Sequence, residues 1–85
     1  MGKSSVIGKM TERLSTILES ISAIIRQLKE YEEKYRIPTG EFVRKWRNGE
    51  IKEPKDPDTL TDFLNWDGLY EVLMRRIAEL KNCVK

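Results

Sequence analysis

The chain has 85 residues, with 16 basic and 14 acidic side chains, one cysteine and no histidine, for a net charge of +2. One domain is the most this length holds, an intramolecular disulfide is ruled out, and the usual Cys/His zinc sets are absent. So balanced a charge lacks the basic excess that marks a nucleic-acid footprint.

Charges interrupt every apolar stretch well short of about 18 residues, so no segment reads as a membrane span. No secretory apolar region opens the chain, and Val6 stands where N-myristoylation wants Ser or Thr. The expectation is a cytoplasmic protein. Charged residues at 35% with a single glutamine match the make-up of thermophile proteins. A single small core nets only roughly 3–5 kcal/mol, and association is the stabilising device still open to this chain.

The first predicted element is a long helix over about residues 5–35. Ile7, Met10, Leu14, Ile17, Ile21, Ile24, Leu28, Tyr31 and Tyr35 alternate three and four apart, forming a heptad seam. Leu18 and Ile25 lie beside it and widen the apolar stripe. Glu12, Arg13, Glu19, Arg26, Lys29, Glu30, Glu33 and Lys34 form the polar face. Arg26–Glu30, Lys29–Glu33 and Glu30–Lys34 are spaced for i,i+4 ion pairs.

Pro38 is expected to stop this helix by pushing Ile37 out of the α region. A short helix follows over about 40–48, with Thr39 as its N-cap and Glu41 in its first turn. Its apolar face is Phe42, Val43 and Trp46, and Asn48-Gly49 ends it. Barely two turns long, it must pack on the longer helices to exist. Residues 49–58, with two prolines and no apolar period, form a loop.

The third helix is expected over about 59–83, capped by Asp56 or Asp58 with Pro57 in its first turn. Phe63, Trp66, Tyr70, Leu73, Ile77, Leu80 and Val84 repeat the seam, broadened by Leu60, Leu64, Leu69 and Met74. Gly68 is expected to admit a close neighbour, the short helix. The fold class is therefore all-α: an antiparallel hairpin of two long helices with a short connecting helix. Two helices leave wide stripes uncovered, so the hairpin should pair into a four-helix-bundle homodimer or receive a different protein on its open face.

Ser4, Ser5, Ser15, Ser20 and Ser22 have no histidine to activate them, and Cys83 has none beside it. Asp62, Asp67 and Glu71 are the one acidic group with turn-like spacing on the last helix, where the N-terminal dipole explains them better than a metal. Gly40 and Gly49 follow no strand and build no phosphate cradle. The sequence supplies no catalytic residue, cofactor or metal set. Arg44, Lys45 and Arg47, around Trp46, form the strongest basic cluster and are the nucleic-acid candidates, set against an amphipathic helix whose cations merely face solvent. Ile7, Leu14, Leu18, Ile21, Ile25, Leu28, Phe42, Trp46, Trp66, Tyr70 and Ile77 are the candidates for a dimer or partner interface.

From Lys34 onward a further pattern is present. Lys34-Tyr35-Arg36-Ile37-Pro38-Thr39-Gly40-Glu41-Phe42, then Trp46, Asn48-Gly49-Glu50, and Asp62-Phe63-Leu64-Asn65-Trp66-Asp67-Gly68-Leu69-Tyr70-Glu71 resemble a prokaryotic family of small, helical, antitoxin-like proteins. That family's pattern runs roughly Lys-Tyr-Gly-Met-Ser-Ser-Glu-Glu-Phe, an aromatic residue, Gly-Glu, then Asp-Phe, an acidic residue, Trp, a small residue, Leu and Tyr. The likeness covers about the second half of the chain and rests on ordered aromatics. Arg36 replaces the family's glycine, and the loop before the last helix is longer and richer in proline. The resemblance implies a non-catalytic protein that sequesters a small toxin by helical contacts. The alternative expectation is a nucleic-acid-binding regulator using the Arg44–Arg47 helix.

Overall fold

The computed structural model describes the backbone of residues 2–83 and the side chains of residues 12–82. Three helices account for it: α1 (Gly2–Tyr35), α2 (Thr39–Arg47) and α3 (Pro57–Cys83), with no strand among the described residues. The two long helices run antiparallel. Lys34 and Tyr35 at the end of α1 meet Asp62 in the first turns of α3, while Thr16 and Ile17 lie near Arg76 and Glu79 further along it. The all-α hairpin with a short connecting helix is thus the observed architecture.

The heptad seams face each other, but they are not filled evenly. Ile24, Leu28, Phe42, Val43 and Trp66 form the buried cluster, with Tyr31, Tyr35, Trp46, Phe63, Leu69, Tyr70 and Leu73 packed against it. All three helices converge there, at the α1 C-terminal end of the hairpin. Away from that end only two helices remain; they still bury Ile17, but leave Leu14 and Ile21 half-buried and Leu18 exposed. The radius of gyration is 16.9 Å, against about 12 Å for a compact domain of 85 residues.

Local chemistry explains how the chain turns between elements. α1 does not run on to Pro38. Arg36 adopts φ +60°, the left-handed region, while its N–H still donates to the Glu32 carbonyl at 2.8 Å. That residue reverses the chain, and Pro38 then precedes α2 in an extended conformation. α2 ends in a Schellman motif: Glu50 N–H donates to the Lys45 carbonyl at 2.9 Å and Gly49 N–H to the Trp46 carbonyl at 3.3 Å. Gly49, at φ +76°, is the residue for which this conformation is free of Cβ strain. Asp56 caps α3, accepting from the Thr59 N–H at 3.1 Å and hydroxyl at 2.8 Å, with Pro57 as the first helical residue.

Three expectations are corrected. Thr39 is the first residue of α2 rather than its cap, and its hydroxyl points inward to Trp66 instead of back along the helix. The expected pairs Arg26–Glu30, Lys29–Glu33 and Glu30–Lys34 do not form among the described residues; Lys34 reaches Asp62 at 2.7 Å, across the hairpin. Gly68 admits no close neighbour, since a Cβ there would meet nothing within 4 Å. It lies in an open groove between α1 and α3, on the side away from α2.

A left-handed conformation costs a non-glycine residue about 1–2 kcal/mol, partly offset by the extra unfolded-state freedom a glycine brings. Arg36→Gly is therefore expected to stabilise the protein by about 0.5–1 kcal/mol, raising the melting temperature by a few degrees. A thermal melt followed by circular dichroism reads this directly, and a lowered midpoint would show that the Arg36 side chain matters more than its backbone.

Candidate functional site

The most organised region is where α2 meets the hairpin. Trp66 is fully buried, and its indole N–H needs an acceptor that the apolar core does not supply. The Thr39 hydroxyl fills that need at 3.0 Å and is itself buried. Phe42, one turn further along α2, lies flat on Trp66 with ring centroids 3.9 Å apart and planes within 4°. Tyr31 and Tyr35 of α1 also stack with Trp66, at 5.6 and 5.8 Å. Phe63 meets Tyr35, Phe42 and Trp46 edge-on. One indole thus joins rings from α1 and α2 to α3.

Polar contacts pin α2 around this cluster. The Glu32 carboxylate of α1 accepts the Thr39 N–H at 2.7 Å, taking the capping role and placing a negative charge at the positive end of α2. At the other end, Arg47 reaches Asp67 at 2.7 Å and Glu71 at 3.3 Å on α3, and its guanidinium lies 5.9 Å from the Tyr70 ring centre. Lys45 pairs with Glu41 at 3.1 Å and Arg44 with Glu50 at 3.3 Å.

Each cation of the Arg44, Lys45 and Arg47 cluster therefore already has a carboxylate partner. A phosphate backbone would have to displace those carboxylates. Arg47 in particular acts as a strut between α2 and α3, a role the sequence reading missed because its partners lie 20 and 24 residues away. Asp67 and Glu71 are those partners, whereas Asp62 binds Lys34 and Tyr35. The acidic group of α3 is split between two ionic contacts, and no three metal-ligating side chains converge among the described residues.

The interface candidates divide. Leu28, Phe42 and Trp66 are buried within the chain itself and have no area to offer a partner, because the three helices converge on them. Trp46 and Tyr70 are half-buried against the same cluster. Leu14, Ile21 and Ile77 are half-buried as well. Leu18 and Ile25 are on the outside, 51% and 41% exposed, joined by Leu64 at 56% and Met74 at 41%. Ile7 lies outside the residues whose side chains are described. Leu64 and Met74 appeared in the sequence only as seam-broadening residues, and the structure leaves both on the outside.

Two shallow grooves run along the side of the hairpin away from α2. One, of about 430 Å³, is lined by Gln27, Tyr31, Leu64, Gly68, Leu69 and Val72 among others. The other, of about 480 Å³, lies between Arg13, Thr16 and Ser20 of α1 and Arg76 and Glu79 of α3. Neither brings a nucleophile beside a base. No described helix is long and apolar enough to cross a membrane.

The Lys34–Tyr35–Asp62 contact makes stability depend on pH. Hydrogen bonds from the Lys34 ammonium and then the Tyr35 hydroxyl, the latter at 2.5 Å, hold the Asp62 carboxyl below its ordinary 3.8. The Asp56 carboxyl is lowered too, by the Thr59 hydroxyl and then the Thr59 N–H. Lys34 is raised by its bond to Asp62, and Tyr35 is raised first by burial and then by the same carboxylate. Depressed carboxyls give stability that is present above about pH 4 and lost as pH falls through their folded values. Raised Lys34 and Tyr35 give stability that is full below about pH 10 and lost as pH rises through theirs. Melting temperature is therefore expected to be flat from about pH 5 to 9 and to fall on both sides. Asp62→Asn should lower the plateau and shallow both limbs; an unchanged pH profile in this variant would contradict the assignment.

Compared with protein families, curated proteins and solved structures, the chain matches none of them.

Proposed function

We infer that the chain is a non-catalytic, antitoxin-like protein-interaction module of the cytoplasm, which acts as a homodimer and binds a small toxin or other partner protein through helical apolar surfaces. The observation that carries this reading is the set of large apolar side chains left outside the core, Leu18, Ile25, Leu64 and Met74, on helices otherwise rich in charge. Leu18 and Ile25, seven residues apart, share one side of α1, and exposed apolar side chains at heptad spacing are a feature of helices that pack on a partner.

The antitoxin-like part of the reading draws on the resemblance of the second half of the chain, and the backbone gives it a physical point of support. The turn after Tyr35 holds Arg36 at φ +60°, a conformation glycine enters freely, and glycine is what the antitoxin-like pattern carries at that place. The aromatic residues of the pattern, Tyr35, Phe42, Trp46, Phe63, Trp66 and Tyr70, all lie in or against the one cluster, so the pattern describes a packing unit. Regulation through nucleic acid is the weaker reading, because the cations it needs are already paired with carboxylates.

The test is capture and rescue in the native host. The tagged chain is expected to recover one small protein in near-equal amount from nuclease-treated lysate, insensitive to salt, and co-expression should relieve that protein's toxicity. Glutamate at one or more of the four exposed apolar positions should abolish both effects with helix content unchanged. Recovery of bait alone, with salt-sensitive nucleic acid in untreated lysate, would overturn the reading in favour of the nucleic-acid alternative.

A further inference from the structure

The near-balance of charge along the chain hides an uneven distribution in the fold. The antiparallel hairpin brings the early part of α1 beside the end of α3, where Glu12 and Arg13 line one groove with Arg76 and Glu79. Both segments are basic. Residues 1–13 and 75–85 carry seven cations and two carboxylates, a balance of +5, whereas residues 14–74 carry nine and twelve, a balance of −3. Clustering of like charge, more than net charge, creates a local potential that attracts a polyanion.

The cations at this end are also unengaged, unlike those of α2. Arg13, Arg75 and Lys81 are exposed and form no ion pair among the described residues, while Arg76 is held by Glu79 at 2.9 Å. Arg44, Lys45 and Arg47 of α2 each have a carboxylate. Lys3 and Lys9 precede Arg13 on α1.

The disposition of these cations selects the kind of polyanion. At about 100° per residue, Arg75, Arg76 and Lys81 leave α3 in three directions about 100–140° apart. A bilayer meets a helix from one side, whereas the two phosphate strands that border a nucleic-acid groove meet it from both. This end also lacks the apolar surface that other partners use. Of the exposed large apolar side chains, Leu18, Ile25 and Leu64 lie outside it and Met74 at its border. A membrane-surface helix buries an apolar face, and the centre of a protein interface is depleted of charge. Cations with hydroxyls beside them, as Thr16 and Ser20 are in the Arg13–Arg76 groove, are the groups that contact phosphate oxygens.

We propose that the open end of the hairpin, through Arg13 of α1 and Arg75, Arg76 and Lys81 of α3, binds the phosphate backbone of a nucleic-acid duplex by an electrostatic, sequence-independent contact. This activity is additional to partner capture. It places nucleic acid at the opposite end of the molecule from α2, and it leaves the apolar side chains of the hairpin to a protein.

The test uses the purified full chain and a short fluorescein-labelled DNA duplex of mixed sequence, read by anisotropy, so its failure would leave partner capture to be judged separately. Between about 50 and 200 mM salt the association constant is expected to fall about a hundredfold, the slope of about four phosphate contacts. Arg13→Ala, Arg75→Ala and Lys81→Ala together should take about three units off the logarithmic salt slope and weaken binding at least about tenfold, at unchanged helix content. Arg36→Gly, Lys52→Ala and Lys55→Ala remove the same charge from the other end and should leave the slope as it was. Without altering any cation, Asn82→Cys in the Cys83→Ser background, carrying a photoreactive maleimide, should cross-link to the duplex, and Glu53→Cys should not. Polyglutamate or phosphatidylglycerol vesicles, added at equal charge, should displace less labelled duplex than unlabelled duplex does. No binding at about 50 mM salt, an equal loss of slope in the two triple variants, cross-linking at Glu53→Cys alone, or displacement by polyglutamate or vesicles as effective as by duplex would each overturn the proposal.

Discussion

A buried indole N–H has to find an acceptor, and in this protein that requirement determines where the short helix lies. Leaving the Trp66 donor unmade inside the core would cost about 1–3 kcal/mol, a large share of what a chain this small has in reserve. The Thr39 hydroxyl satisfies it from the first turn of α2, and once Thr39 is fixed Phe42 is carried onto the face of the Trp66 ring. The Thr39 N–H, which like every N–H of a first helical turn has no partner within its helix, donates to the Glu32 carboxylate. Arg47 then fastens the far end of α2 to Asp67 and Glu71. The sequence of consequences runs from one polar atom in an apolar place to the position of a whole element.

The same geometry gives the molecule two unlike halves. Where α2 lies, three helices surround an aromatic cluster and the outer face is dense with ion pairs. Beyond α2, the hairpin has two helices, one buried seam residue in Ile17 among half-buried ones, and a run of α1 in which Glu19 is the one charge between Leu14 and Ile25. The hydrophobic effect is indifferent to whether apolar area is covered by the same chain or another, so a half-enclosed seam is a standing drive toward association.

Much of the fold could be read before the structure. Strict three–four alternation in both long helices gives their existence and facing, Pro57 and Asp56 mark the start of α3, and Asn48-Gly49 marks the end of α2. Those signals are local, each fixed by residues within a turn of one another. The errors share the opposite property. Thr39 reads as an N-cap because its partner in the sequence view is the helix it begins, whereas its actual partner is Trp66, 27 residues on. Lys34 reads as one half of an i,i+4 pair because Asp62 is 28 residues away. Arg44, Lys45 and Arg47 read as a basic patch because the carboxylates of Glu50, Asp67 and Glu71 are brought to them by folding. Gly68 was expected to mark a close approach by α2, but α2 sits on the other side of the hairpin. At the candidate site, the heptad pattern marked all seam positions alike; only the placement of α2 separates Leu28, Phe42 and Trp66, which are enclosed, from Leu18 and Ile25, which are not.

The most direct measurement of the central claim is a comparison of Trp66→Ala with Leu64→Ala, two residues apart on α3, followed by circular dichroism and thermal melting. Truncating a fully buried tryptophan costs about 3–5 kcal/mol, and here it also removes the donor that holds Thr39. Trp66→Ala is expected to lose the cooperative transition and most of its helical signal at room temperature, while Leu64→Ala melts within a few degrees of the parent. A Trp66→Ala protein that kept its helix content and midpoint would contradict the account, because the three helices would then be held together by something other than this ring.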